Sequence, residues 1–206
     1  MTTRDRGSPI GGGAANPAKG AKPPLEPPLS RLPRTIRLDP SDLVVFGRAA
    51  EPGEWAVPGG FDFWDEDPEA LTGKRRQEFR AGFLGLGSFG FSTLVEVAEA
   101  TPEDREAATA ALAAHIRAAY GAPDAATARA AAEEEIAFAA SLCGHPPGTV
   151  LALARSMEDG AVRERFRTLH RRETPHGDFG RLPVFAILES EGEAPEHPDL
   201  TSLPPR

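Results

Sequence analysis

The chain has 206 residues, 23 lysines and arginines against 31 acids, and a formal charge of −8 at pH 7. That balance excludes a nucleic-acid-binding domain, which needs a basic face over the phosphates, and no apolar run approaches the roughly 20 residues of a membrane-spanning helix. A single cysteine excludes an intramolecular disulfide and fits a reducing compartment, and the N-terminus lacks the apolar stretch of a secretory signal, so a soluble cytoplasmic protein is expected.

Residues 1–33 carry Gly11-Gly12-Gly13, Pro23-Pro24 and Pro27-Pro28 with almost no apolar periodicity. Such a segment buries too little surface to offset its ordering entropy, so a disordered, basic Gly/Pro-rich arm is expected. Residues 34–190 read as one domain long enough for a proper core, and residues 191–206 as a disordered, acidic, proline-rich tail.

Within the domain, residues 35–38 and 43–46 alternate as short strands, and Glu51-Pro52-Gly53 is a turn signal. Trp55 and Val57 alternate, Pro58-Gly59-Gly60 turns the chain again, and residues 61–64 alternate once more. Together these predict an antiparallel meander. Leu71, Arg75, Phe79, Gly82, Phe83 and Leu86 then recur at helical intervals, and a glycine-rich run ends that helix. Phe91, Thr93, Val95 and Val97 mark a longer strand.

Thr101-Pro102-Glu103-Asp104 is a helix start, with Thr as N-cap, Pro at the first position and acids in the first turn. Ala108, Leu112, Ile116 and Ala119 line its apolar face, and Gly121 closes it. Asp124 opens an alanine-rich helix with Ile136, Ala139, Ala140 and Cys143 on one face. Phe138 and Leu142 lie on another, so its C-terminal half should be buried from two directions. Gly144 and Pro146-Pro147-Gly148 end it. Residues 150–154 form a strand, and Asp159-Gly160 is a hairpin turn signal. Beyond it Val162, Phe166 and Leu169 have helical spacing, whereas Arg163, Arg165 and Arg167 alternate; the preceding Asp-Gly favours a strand. Residues 185–188 are the last strand. The expected fold is α+β: an antiparallel sheet of short strands with two or three helices packed on one face.

The glycine-rich run Gly85-x-Gly87-x-x-Gly90 invites a phosphate-binding reading, strengthened by Asp178-Phe179-Gly180 downstream. A kinase, however, pairs its glycine loop with a strand lysine that follows it. The lysines here, Lys19, Lys22 and Lys74, all precede the loop, and no His-Arg-Asp sequence occurs. The dinucleotide fingerprint needs strand, loop, then helix, and the expected order is helix, loop, strand. Gly85, Gly87 and Gly90 are therefore expected to show positive φ or close backbone packing, with Ser88 beside them.

Most aromatics, including both tryptophans, lie between Phe46 and Phe91. Trp55 and Trp64 are candidates to line a small-molecule pocket, against the alternative that they fill the core. Cys143-Gly144-His145 offers a thiol beside an imidazole. At a helix C-terminus, though, the dipole raises a thiol pKa, and catalytic pairs meet through the fold rather than along the chain. Packing of Cys143 and capping by His145 is the competing reading. The five histidines show no paired ligand spacing and Glu133-Glu134-Glu135 has no partner His, so no metal and no cofactor are expected. Ser88, Ser92 and Ser141 lie outside any Gly-x-Ser-x-Gly context.

Residues 32–42 and 51–57, residues 79–86 (Phe-Arg-Ala-Gly-Phe-Leu-Gly-Leu), residues 134–143 and the Asp159-Gly160 hairpin together resemble a family of short bacterial proteins of unknown function, over about residues 32–190. The resemblance implies no catalytic residues. Its context implies an accessory role beside a multi-subunit redox enzyme or a maturation factor. An accessory or binding protein with its contact region between Trp55 and Phe91 is the leading expectation. The alternatives are a small enzyme assembled around Cys143, His145 and Glu134, and a small-molecule binder using Trp55 and Trp64.

Overall fold

A computed structural model describes residues 30–171 and 185–188, with side chains through Leu169. In chain order it contains β1 (Ser30–Ile36), α1 (Ser41–Val45), β2 (Ala56–Val57), a 3₁₀ turn (Gly60–Phe63), α2 (Gly73–Ala81), β3 (Phe83–Gly85), β4 (Phe91–Ser92) and β5 (Leu94–Ala100). Then follow α3 (Pro102–Tyr120), α4 (Ala125–Ser141), β6 (Val150–Glu158), β7 (Ala161–Arg171) and β8 (Phe185–Leu188). The strands form two antiparallel sheets, one of five strands in the order β1-β5-β6-β7-β8 and one of three in the order β2-β3-β4. The fold is α+β.

The long helices start and stop where their caps place them. Thr101 Oγ1 accepts from the Asp104 amide at 3.1 Å while the Asp104 carboxylate accepts from the Thr101 amide at 3.0 Å, and Gly121 leaves α3 at φ +69°. Asp124 caps α4 by accepting from the Thr127 amide at 2.7 Å. Only four residues separate the two helices, which makes them an antiparallel hairpin. Leu112, Ile116, Ala132, Ile136 and Ala139 join Leu32, Phe46, Val57, Phe63, Phe79 and Phe91 in one core. A second core holds Ala56, Phe83, Val95, Val97, Cys143, Leu151 and Leu153. The C-terminal half of α4 serves both, because Phe138 meets Phe166 edge-on at 6.0 Å while Ile136 and Ala139 face the first core.

Several elements depart from expectation. Residues 43–46 belong mainly to helix α1, because the buried Asp42 carboxylate ties the segment to Ser92 and Thr93. Residues 61–64 are a 3₁₀ turn, since Gly59 at φ +72° reverses the chain just before them. The helix expected from about residue 71 to 86 ends at Ala81. Phe83 goes to the second core and Leu84 to the first, and such opposed side chains require a strand. The strand expected over 91–97 is broken at Thr93, whose amide and hydroxyl both donate to Asp42. Residues 161–171 are extended, and Asp159 and Gly160, at φ +52° and +78°, make the hairpin turn that the dipeptide predicts. β1 starts at Ser30, inside the segment read as an arm; the remainder of that arm, the Asp178-Phe179-Gly180 turn and the tail 191–206 lie outside the described residues.

Candidate functional site

The glycine run is the turn of the β3–β4 hairpin. The Gly85 amide donates to the Gly90 carbonyl at 2.8 Å and the Phe89 amide to the Gly85 carbonyl at 3.0 Å. None of the three glycines has positive φ; Phe89, at +52°, takes the left-handed conformation. The expectation of close packing holds instead. A Cβ on Gly85 would sit 2.5 Å from the Glu54 carboxylate, and one on Gly90 would sit 2.6 Å from the Ala49 backbone.

Successive backbone amides in such a turn form an anion-binding nest, and the chain fills it itself. Glu54 Oε2 accepts from the Gly87 and Ser88 amides at 2.9 Å and from the Ser88 hydroxyl at 3.1 Å, while Oε1 accepts from the Glu51 amide at 2.9 Å. Burial works to raise the Glu54 carboxyl, but the bonds from Ser88, Glu51 and Gly87 outweigh it and hold it below its ordinary 4.5. A lowered folded-state pKa stabilises the fold above the unfolded value and loses that contribution as pH falls through the folded one. Glu54→Gln should therefore be less stable than wild type at pH 7, with the gap closing below about pH 4. Urea melts at pH 7 and pH 3 measure it; a gap of equal size at both would remove the charge from the account.

Beyond the turn, Phe89 stacks on His115 at 3.8 Å, and His115 meets Tyr120 edge-on at 5.6 Å. Burial pushes the His115 imidazole below 6.5 against the opposing pull of Asp62, so it is neutral at pH 7. The Tyr120 hydroxyl donates to Asp62, and burial together with that bond keeps the phenol protonated. Arg75 lies 4.0 Å over the Phe63 ring and donates to Asp62 Oδ2 at 2.6 Å, to the Asp62 carbonyl at 2.7 Å, to Glu66 and, at 3.3 Å, to Glu78. The guanidinium is thus fully engaged in joining α2 to the 3₁₀ turn. This cluster is dense in titratable groups, but Arg75, Tyr120, Asp62, Glu66 and Glu78 are already bonded to one another.

The candidates read from the sequence fall in different places. Gly85, Gly87, Ser88 and Gly90 share the hairpin, and Trp55 lies beside them, partly buried against the first core, its carbonyl accepting from the Leu86 amide at 2.8 Å. Trp64 is 54% exposed at the end of the 3₁₀ turn. Cys143 is buried in the second core and burial pushes its thiol up to about 12, so it carries no thiolate at neutral pH. The His145 carbonyl accepts from Arg31 at 3.0 Å. Phe61, Phe63, Phe79, Phe83 and Phe91 are core. Glu54 escaped sequence reasoning because a carboxylate some thirty residues before the turn has no spacing signal toward it.

The open surface lies at α1. Its buried side chain is Asp42, whereas Leu43 (55%), Val44 (69%) and Val45 face outward, with Leu38 (54%) beside them. A helix with its acid inside and its aliphatics outside inverts the usual pattern. The Asp42 carboxylate fixes this orientation by accepting from Thr93 Oγ1 at 2.5 Å and from the Thr93 amide and Ser92 Oγ at 3.2 Å. Leu38 also borders a concavity of about 650 Å³ between β1 and the 52–53 turn, with Arg34, Arg37 and Glu96 among its lining residues. Arg37 donates to the Ala50 carbonyl at 2.5 Å, but its Nε is buried with no hydrogen-bond partner among the described residues.

A family model described as a family of unknown function (DUF6505) matches residues 30–185. No curated protein and no solved structure matches the chain. Among the described residues no helix is long and apolar enough to cross a membrane.

Proposed function

We propose that this chain, which belongs to the DUF6505 family of unknown function over residues 30–185, is a cytoplasmic accessory protein that binds another protein. The observation carrying this reading is the inverted helix α1, which holds Leu43, Val44 and Val45 in water. Exposed aliphatics rimmed by polar groups mark interaction surfaces. The neighbouring concavity adds a cationic component, because Arg37 is among the residues that line it. The fitting occupant is a segment of a larger protein with aliphatic side chains for α1 and a carboxylate or carbonyl for Arg37. A subunit or maturation factor of a multi-subunit redox enzyme is the first class to try.

A thiol enzyme around Cys143 and His145 receives no support from a buried, protonated sulfur. Photo-cross-linking from position 44 in cells tests the docking reading. One defined partner should be captured from position 44 and not from the exposed α3 position Ala110, and Leu43→Asp/Val44→Asp should abolish capture while leaving the melting temperature unchanged. Equal capture from both positions, or capture only of further copies of this chain, would overturn it.

A further inference from the structure

Helix α2 carries Arg75, Arg76 and Arg80, and the three are used differently. Arg75 takes the acids around it, bonding to Asp62, Glu66 and Glu78. Arg76 and Arg80 are exposed, and neither side chain makes a hydrogen bond or ion pair with another described residue. They stand one turn apart on the same flank of the helix. Like charges at that spacing repel each other and weaken a helix. The dipole at the end of α2 favours Arg80 in its last turn but offers nothing to Arg76 one turn earlier.

Both arginines line a concavity of about 230 Å³ where α2 packs against β6. β6 contributes Arg155 and Met157, and the segment before α2 contributes Pro68 and Glu69. Arg155 serves the fold, bonded to Glu164 and to the Phe79, Gly82 and Pro58 carbonyls, and its charge is balanced by Glu164. The charge left in the concavity is that of two arginines against one acid, Glu69. A singly charged anion balances this set, whereas a phosphate dianion would leave Glu69 facing a surplus of negative charge. The guanidinium fork matches the geometry of a carboxylate. Pro68 and Met157, both half-buried, add apolar lining, and the volume lies below that of pockets for drug-sized ligands.

We propose that this concavity binds a small monocarboxylate, with the carboxylate between Arg76 and Arg80 and a short apolar body against Met157 and Pro68. The bound anion then relieves the repulsion between the two arginines. This site is separate from the α1 docking surface and does not rest on it.

Amide chemical shifts of the full chain titrated with isovalerate test this. Saturable shifts are expected, centred on residues 68–69, 76–80 and 155–157, with dissociation in the millimolar range. Arg76→Gln/Arg80→Gln should weaken binding about tenfold or more. Isovaleramide, which has the same shape without the charge, should not bind, and inorganic phosphate should bind more weakly than isovalerate. Glu69→Gln should narrow the gap between phosphate and isovalerate. No saturation at tens of millimolar isovalerate overturns the proposal, as does unchanged binding in the arginine variant. Equal binding of the amide, or tighter binding of phosphate, overturns it too. None of these outcomes bears on the α1 docking reading, whose cross-linking position lies on another element.

Discussion

Arg155→Met is expected to lower stability by about 3–5 kcal/mol. Arg155 lies on β6 with its side chain fully buried. Its Nε donates to Glu164 at 2.5 Å, Nη1 donates to the Phe79 carbonyl at 2.9 Å and the Gly82 carbonyl at 3.2 Å, and Nη2 donates to the Pro58 carbonyl. One guanidinium thus closes the C-terminus of α2, holds the turn before the 3₁₀ segment and neutralises a buried acid. Methionine matches its length and removes every donor, so Glu164 and the Phe79, Gly82 and Pro58 carbonyls all lose their bonds from Arg155. For a domain of this size the loss corresponds to a melting temperature lower by about 10 °C. Arg155→Lys keeps the charge but not the fork, and should fall between the two. Denaturant melts with unchanged m-values would measure the series; a methionine variant as stable as wild type would refute the role assigned to Arg155.

Gly90→Ala should be the second severe change, at about 3 kcal/mol. The added carbon would lie 2.6 Å from the Ala49 carbonyl carbon and oxygen and 2.7 Å from the Ala50 nitrogen. That backbone cannot step aside, because Ala50 donates to the Phe91 carbonyl at 2.8 Å and the Phe91 amide donates to the Arg48 carbonyl at 2.8 Å. Gly87→Ala supplies the contrast. There the nearest atom is the Glu54 side-chain carboxyl carbon at 3.1 Å, which can shift, so the loss should stay below about 1 kcal/mol. Thermal melts of the two alanine variants decide the matter, and equal losses would mean that the hairpin does not pack against residues 49–50 as described.

Where local chemistry alone decides an element, it could be read directly. Thr101 with Asp104, Asp124, Gly121 and Asp159-Gly160 each satisfy or free a backbone group within a few residues, and the corresponding ends of α3, α4 and the β6–β7 hairpin lie where those residues put them. Long-range polar contacts are where the reading failed. Asp42 turned an alternating apolar run into α1 and split one strand into β4 and β5 from about fifty residues away. Phe83 and Leu84 fit helical spacing and strand alternation equally, and only the presence of a core on each side of them selects the strand. The site was hidden for the same reason. Leu43, Val44 and Val45 read as strand positions, and nothing local reveals that they face outward while the Asp42 carboxylate is buried.

The Glu54 carboxylate is an anion tethered beside its own receptor. Tethering sets a local concentration in the millimolar range or above, so a free phosphate must compete against a ligand that never diffuses away. A Gly-x-Gly-x-x-Gly run therefore reports on phosphate only when no acid from an adjacent turn can reach its amides. In this chain the loop keeps the donor geometry of a phosphate cradle and is closed to phosphate by its own sequence.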